Sequence, residues 1–356
     1  MRKLLWMVPL LLAAGTALAG ALVAFTGSEA WPESAGWVWH PCNDENYMES
    51  WQFIVHADNG GFLYVTFVVS NAGLGDFNPG IGAAYFPPDG PAVSNDIKLN
   101  RHVLHASDQT LDISIADMRL WKHGGVIRCV IPRGQVLVDM SLTPTVAPWR
   151  EGTGHIVLGN PRDSWNWMVN APRGRATGKV TVGGKTYDVA GYGYLDHAWS
   201  NKAFFDFSKR WITLRYFSPK GSLVLFHLLV SNRLGAESVN NLSLSNNDQP
   251  IRSTPNPQLD FTNWIQATDY RIPTTITAHG RVGATDVSVE ATNGQLAETS
   301  DPLRSLPEIE RQVIRLLVAK PMVFRVLMDI KVTRTENGVS DVEHGRGIAS
   351  MLFFDQ

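Results

Sequence analysis

Tyr192, Tyr194 and Asp196 alternate within Gly191-Tyr192-Gly193-Tyr194-Leu195-Asp196-His197-Ala198-Trp199. In an extended strand alternate side chains share a face, so these three point one way while Leu195, His197 and Trp199 point the other. A carboxyl between phenols on one face of a half-buried strand loses hydration, which makes it an expensive feature and therefore a candidate site. Burial in an apolar barrel disfavours the charged carboxylate, so Asp196 is expected to hold a proton near neutral pH. Such an acid can protonate or polarise a weakly basic group, for example a carbonyl or an alkene. Tyr194 or Tyr192 would orient it, or present a ring face to developing positive charge. Catalysis is assigned to Asp196 and Tyr194. Tyr192, Trp167, Asn166 and Trp165 are the candidate ligand-binding residues, because Trp165-Asn166-Trp167-Met168 precedes the same hairpin and neighbouring strands of a meander are neighbours in space. His197 and Trp199 are expected to form a hydrogen-bonding layer behind the site.

Other chemistry is poorly supported. His102 and His105, or His123 and His155, show no metal spacing with a third ligand. Gly152-x-Gly154 lacks the strand-to-helix setting of a phosphate loop, and no serine sits in a nucleophile elbow. No metal and no cofactor are expected. The net charge is −2 and no basic cluster stands out, which argues against a nucleic-acid partner. Cys42 and Cys129 are the two cysteines, and they are either a disulfide or two separate thiols.

The elements that must position these residues are strands. Charged residues make up 18% of the 356-residue chain, aromatics 10%, and Gly and Pro are abundant, as in a β-rich chain with many turns. The stretch Trp51 to Asn71 reads as strand, turn, strand, and Trp211 to Asn232 repeats it, each running from Trp through a turn Gly to Val-Ser-Asn. The hairpins Lys179–Gly193 and Lys331–Gly347 also match, each closing in Gly-x-Gly and an apolar strand. Two copies of one β domain follow, with the first spanning 31–205 and the second 206–356. In the second copy Ile348 and Ser350 stand where the first has Tyr194 and Asp196, so the fold alone does not require the latter pair, which is either a site or an inter-domain hydrogen bond. Ser305 to Leu317 reads as a helix with a capping box, and the segments 73–90 and 238–258 read as long loops. At the N-terminus, Arg2-Lys3 and an uncharged run over residues 4–25 form an export signal, with Ala17-Leu18-Ala19 as a cleavage site. Residues 1–30 are thus a cleaved signal peptide or an uncleaved membrane anchor. The folded part should begin near Trp31, in the periplasm or anchored to the inner membrane facing outward.

Gly193-Tyr194-x-Asp196-His197-x-Trp199 after a Gly-Gly hairpin, preceded by Ala171-Pro172-Arg173-Gly174-Arg175-Ala176, resembles the AttH-like/carotenoid 1,2-hydratase (hydroxyneurosporene synthase) superfamily. The strand Phe62 to Asn71 is similar to the survival-factor proteins of that group. The resemblance implies an all-β fold of two consecutive lipocalin-like antiparallel β-barrels with one or few helices. Its members include hydratases acting on terminal isoprenoid double bonds, ring-closing cyclases, Diels–Alderases and lipid-handling proteins. It carries the Tyr-x-Asp pair of the hydratases onto Tyr194 and Asp196, and a pocket role onto Trp167. The chain has Ala198 and Ser200 where the family commonly has Asn and Gly, and Asn166 where a hydratase would have His. The expected function is enclosure of an elongated hydrophobic molecule (an isoprenoid, lipid or polyketide), with Asp196 assisting hydration or cyclisation of a C=C bond. The alternatives are a non-catalytic carrier with the same cavity, and a structural protein whose aromatics only fill cores.

Overall fold

The computed structural model describes residues 22–27, 30–71, 75–304, 308, 311–312, 315 and 320–355. About two thirds of them belong to two antiparallel sheets. The first contains β1 (Leu22–Ala24), β2 (Met48–Ala57), β3 (Phe62–Ser70), β4 (Asn78–Phe86), β5 (Val93–Lys98), β6 (Leu104–Ala106), β7 (Asp112–Ile115), β8 (Met118–His123), β9 (Val126–Ile131), β10 (Val136–Pro144), β11 (His155–Leu158), β12 (Asn160–Val182) and β13 (Lys185–Ser200). The second contains β14 (Ser208–Ser218), β15 (Gly221–Val230), β16 (Ser238–Asn246), β17 (Arg252–Pro255), β18 (Gln258–Ala267), β19 (Tyr270–Val282), β20 (Thr285–Ser300), β21 (Lys320–Glu336) and β22 (Val339–Asp355).

The strand orders are β5-β4-β3-β2-β13-β12-β10-β9-β8-β7-β6, with β11 joining β12 to β1, and β17-β16-β15-β14-β22-β21-β20-β19-β18. In both, an opening hairpin is zipped to the last hairpin of its own domain, so the ends of each domain meet at the centre of its sheet. This is one topology used twice, and the chain is a tandem of lipocalin-like β-barrels. Each sheet curls around a core of its own. Trp51, Phe53 and Val55 face Leu142 and Leu195 in the first, while Ile212, Leu214 and Tyr216 face Ile272 and Met328 in the second. A third apolar cluster lies between the sheets and unites Ile54, Trp165, Trp167 and Tyr194 with Trp211, Phe217, Phe226 and Ile348. Burial of each such side chain stabilises by about 1.5–3 kcal/mol, so this junction is a core in its own right.

The Gly-x-Gly closures have a steric cause. A Cβ on Gly191 would meet the His56 carbonyl oxygen at 2.1 Å, and one on Gly347 would meet the Arg215 carbonyl oxygen at 2.8 Å. Only glycine lets the closing strand lie this near the opening one. The opening match is out of register by one residue. Gly193 pairs with Val55 and Gly347 with Tyr216, which makes Trp51 equivalent to Ile212 rather than to Trp211. A slip of one reverses the face: Trp51 points into its barrel and Trp211 into the junction.

Two expectations need correction, the long loops and the start of the fold, and the open reading of the cysteines is decided. The segments 73–90 and 238–258 are not long loops, for β4 forms in the first and β16 and β17 in the second. Glycines and serines in them fill tight strand positions, with Ser243 bonded to the Val224 carbonyl and Ser245 to Ser222. The fold begins before Trp31, because β1 pairs with β11 and Phe25 is buried against Phe226. Cys42 and Cys129 are free thiols, the first donating to Asp44 and the second buried in the first core. Most of the expected helix over 305–317, and the uncharged run before Leu22, lie outside the described residues.

Gly191→Ala should lower the unfolding free energy by about 2–3 kcal/mol through the backbone clash. Gly183→Ala, at a turn with φ +57° and open space around it, should cost about 1 kcal/mol. Thermal or urea unfolding of the two variants checks the difference.

Candidate functional site

Residues Gly193 to Ser200 of β13 are all buried, on both faces. Strand alternation therefore sends two sets of polar groups into two different interiors. Tyr194 and Asp196 point into the junction, and His197 points into the first barrel.

In the junction, the Tyr194 hydroxyl donates to Asp196 Oδ2 at 2.7 Å. Arg215 of β14 donates Nη2 to the same oxygen at 2.8 Å and to Gln52 Oε1 at 3.1 Å. The Tyr64 hydroxyl also donates to Gln52, and the Arg325 guanidinium lies 4.0 Å over the Tyr64 ring while pairing with Glu298. A polar chain thus crosses from one barrel to the other inside an aromatic layer. Asp196 is 1% exposed, and its Oδ1 has no hydrogen-bond partner among the described residues. Burial, and then the neighbouring Asp196 charge, raise the Tyr194 phenol well above its ordinary pKa, so it remains a donor. The setting is not the apolar barrel interior but the inter-domain bond that stood as its alternative. Asp196 lies outside the barrel interior, in an ion pair with an arginine of the second barrel.

Trp165 and Trp167 share this face, stacked 5.5 Å from Phe226, and β12 places Val169 opposite Asp196. Tyr192 faces the same way but sits at the edge, under Arg173 and Arg175 at 4.4 and 4.5 Å. Asn166 points to the opposite side, accepting from the Trp31 indole and donating to the Trp199 carbonyl. The structure therefore brings Tyr194, Trp165 and Trp167 to the face of Asp196 and leaves Asn166, His197 and Trp199 behind it.

Sequence reasoning missed Arg215, Gln52, Tyr64 and Arg325. Arg215 had a signal, being a charge in the apolar run Trp211 to Phe217. It also missed the group inside the first barrel. His197 Nε2 lies 2.7 Å from Glu49 Oε1, and Glu49 accepts from the Tyr47 hydroxyl at 2.6 Å and from the His40 backbone N–H. Glu49 shares an inward face with Trp51 and Phe53, which is itself a signal in the strand pattern. His197 Nδ1 is 3.0 Å from the Gly36 carbonyl, an acceptor only, so Nδ1 carries the proton. Nε2 then accepts, and the proton in the His197–Glu49 contact belongs to the carboxyl. Burial pushes Glu49 up to about 8 and His197 down to about 3, in agreement with that assignment.

This pair makes stability depend on pH with a definite sign. Unfolded, the two groups titrate near 4.5 and 6.5. Between those values folded and unfolded chains both hold one proton on the pair, and its contribution is flat. Above 6.5 the unfolded chain releases that proton while the folded one keeps it, so stability falls until about pH 8. Below 4.5 the unfolded chain holds two protons against one, and stability falls again toward pH 3. Glu49→Gln should flatten the alkaline limb, removing a loss of about 2 kcal/mol. Thermal unfolding of wild type and variant across pH 4 to 9 measures it.

The fold recurs in solved structures. An AttH-like protein of Nitrosomonas europaea superposes with a TM-score of 0.64 at 14% identity over 92% of this chain and 98% of its own. CghA with Sch210972 gives 0.61 at 11% identity over 94% and 98%. Kievitone hydratase of Nectria haematococca gives 0.58 at 12% identity over 95% and 98%. At these identities the likeness establishes the shared fold. No curated relative matches in sequence. The model of the Svf1 family matches residues 35–354, which takes in both barrels and the junction apart from Phe25 and β1. This chain belongs to the Svf1 family.

Proposed function

We propose that this protein handles an elongated hydrophobic molecule, an isoprenoid, lipid or polyketide, and does so at the junction of its barrels rather than inside either one. The observation that carries the reading is the unpartnered Oδ1 of a fully buried Asp196 in a layer built from Trp165, Trp167, Phe217 and Phe226. An apolar body would replace contacts within that layer, while a hydroxyl on the ligand would complete Oδ1. The shared fold with kievitone hydratase and the family membership support a small-molecule site in this architecture.

Binding and transfer fit the electrostatics better than acid catalysis. Proton donation from Asp196 is opposed while Arg215 stands 2.8 Å from Oδ2. Acid-assisted hydration or cyclisation is the second reading, favoured by the Tyr194 bond that orients the carboxyl. It requires the ligand to draw Arg215 away. The export reading is retained as part of the proposal. Cleavage after Ala19 leaves β1 intact, and the pairing of Leu22–Ala24 with β11 favours a released periplasmic protein over an anchor that extends to Phe25.

Arg215→Met should cost about 3–5 kcal/mol by stranding a buried carboxylate, and adding Asp196→Leu should recover most of it. Both are read by urea unfolding. Native mass spectrometry of the purified wild type should show a co-purifying apolar compound that the double variant lacks. Absence of any such compound, together with no binding of an apolar dye, would refute the junction site. Asp196→Asn separates the two readings: loss of turnover with retained binding supports catalysis, and retained transfer supports the carrier. Expression in a Gram-negative host should yield a mature protein beginning at Gly20, checked by N-terminal sequencing.

A further inference from the structure

Ladder equivalence points to a second site, independent of the junction. Glu49 pairs with Trp199 in the first barrel, and Arg210 pairs with Phe353 in the second. Each lies six residues before the residue opposite the second glycine of Gly-x-Gly, so Glu49 and Arg210 occupy the same place, inward-facing at one end of the opening strand. In the first barrel that polar group is fully satisfied. The segment from Trp31 to His40 folds over the barrel end, and Glu49 accepts hydrogen bonds from His40 and Tyr47 and donates one to His197. In the second barrel the described residues provide no such cover.

Arg210 is half-buried. Its Nη2 reaches His227 Nε2 at 3.4 Å, and its Nε is buried without a partner among the described residues. His227 Nδ1 is 2.7 Å from Asn240 Oδ1, which fixes Nε2 as the acceptor toward the guanidinium. Arg173, Arg215, Arg325 and Arg334 each face a carboxylate. Arg210 faces none among the described residues, and burial alone pushes its pKa down with no acid opposing it. Two rings flank it instead, Phe261 at 5.3 Å and Trp264 at 5.5 Å. Residues 261 and 264 would not share a face of a regular strand. Asn263 between them adopts φ +53°, and this kink brings both rings onto one cation. A half-buried guanidinium between aromatic rings, with donors in a rigid fork and no counter-charge among the described residues, is suited to receive a bidentate oxyanion.

We propose that Arg210, caged by Phe261, Trp264 and His227 at the end of the second barrel, binds an oxyanion, either the carboxylate or phosphate head of an amphiphile or a free anion of that kind. The test is isothermal titration of the full chain at low salt with dodecanoate below its micellar concentration, with dodecanol as the uncharged counterpart, and with inorganic phosphate. Wild type should bind dodecanoate or phosphate. Dodecanoate alone identifies an amphiphile head, and phosphate bound as tightly identifies a free anion. Arg210→Met should weaken that binding by about tenfold or more, as for loss of a charged hydrogen-bonded pair, with dodecanol binding unchanged. Arg210→Lys keeps the charge but not the fork, and should fall between them; it decides the matter if the Met variant fails to fold. Absence of binding of either anion by wild type, or wild-type affinity in the folded Met variant, overturns the proposal.

Discussion

A strand buried on both faces is the constraint on which the rest of this structure depends. From Gly193 to Ser200, β13 has the first barrel on one side and the second on the other. Any polar side chain on it must find a protein partner, since burial without one costs about 1–3 kcal/mol or more. Alternation then decides which partner each residue has. Tyr194 and Asp196 are completed by Arg215 from across the junction, and His197 by Glu49 and Gly36 from within its own barrel. The bond pattern of one strand therefore fixes the approach of the second barrel and the closure of the first.

Much of the fold was legible in the sequence because it rests on local rules. Alternation placed Tyr194, Asp196 and His197 on their faces, and Gly-x-Gly marked both closures. The duplicated hairpins gave the tandem even though the Trp51–Trp211 match was one residue out of register. What could not be read is what lies opposite a face. Asp196 was expected to meet an apolar cavity because nothing local to residues 191–199 names Arg215, which enters from a strand that follows in the next domain. Glu49 and His197 are likewise joined only by the pairing of β2 with β13. Ser- and Asn-rich strands such as β16 were read as loops because composition reports small polar residues. It does not report that a neighbouring backbone will absorb their hydrogen bonds.

The junction is also where stability and use diverge. An ion pair withdrawn from water as fully as Asp196–Arg215 gains little over apolar side chains of the same size. At the equivalent position β22 carries Ser350, with Ile348 and Leu352 beside it on the same strand face, and the stretch Gly347 to Phe354 has no ionisable side chain. The comparison within one chain separates what the architecture needs, a strand pressed between two layers, from what has been added to it. The added groups are a carboxylate with one oxygen left over and an arginine that also holds Gln52.

The same comparison gives the polar groups inside the barrels their meaning. Equivalent positions on the opening strands carry Glu49 in one barrel and Arg210 in the other, opposite in charge and opposite in how they are completed. Glu49 is neutralised by a proton and enclosed by hydrogen bonds from the chain that precedes it, so nothing outside the protein is needed. A guanidinium has no such recourse, for it does not release its proton near neutrality. Aromatic faces and a neutral imidazole soften the burial of Arg210 without supplying a negative charge. Duplication has preserved the strand order and the glycines that permit it, while the polar groups at the two barrel ends have diverged, Glu49 enclosed by its own chain and Arg210 facing no carboxylate among the described residues.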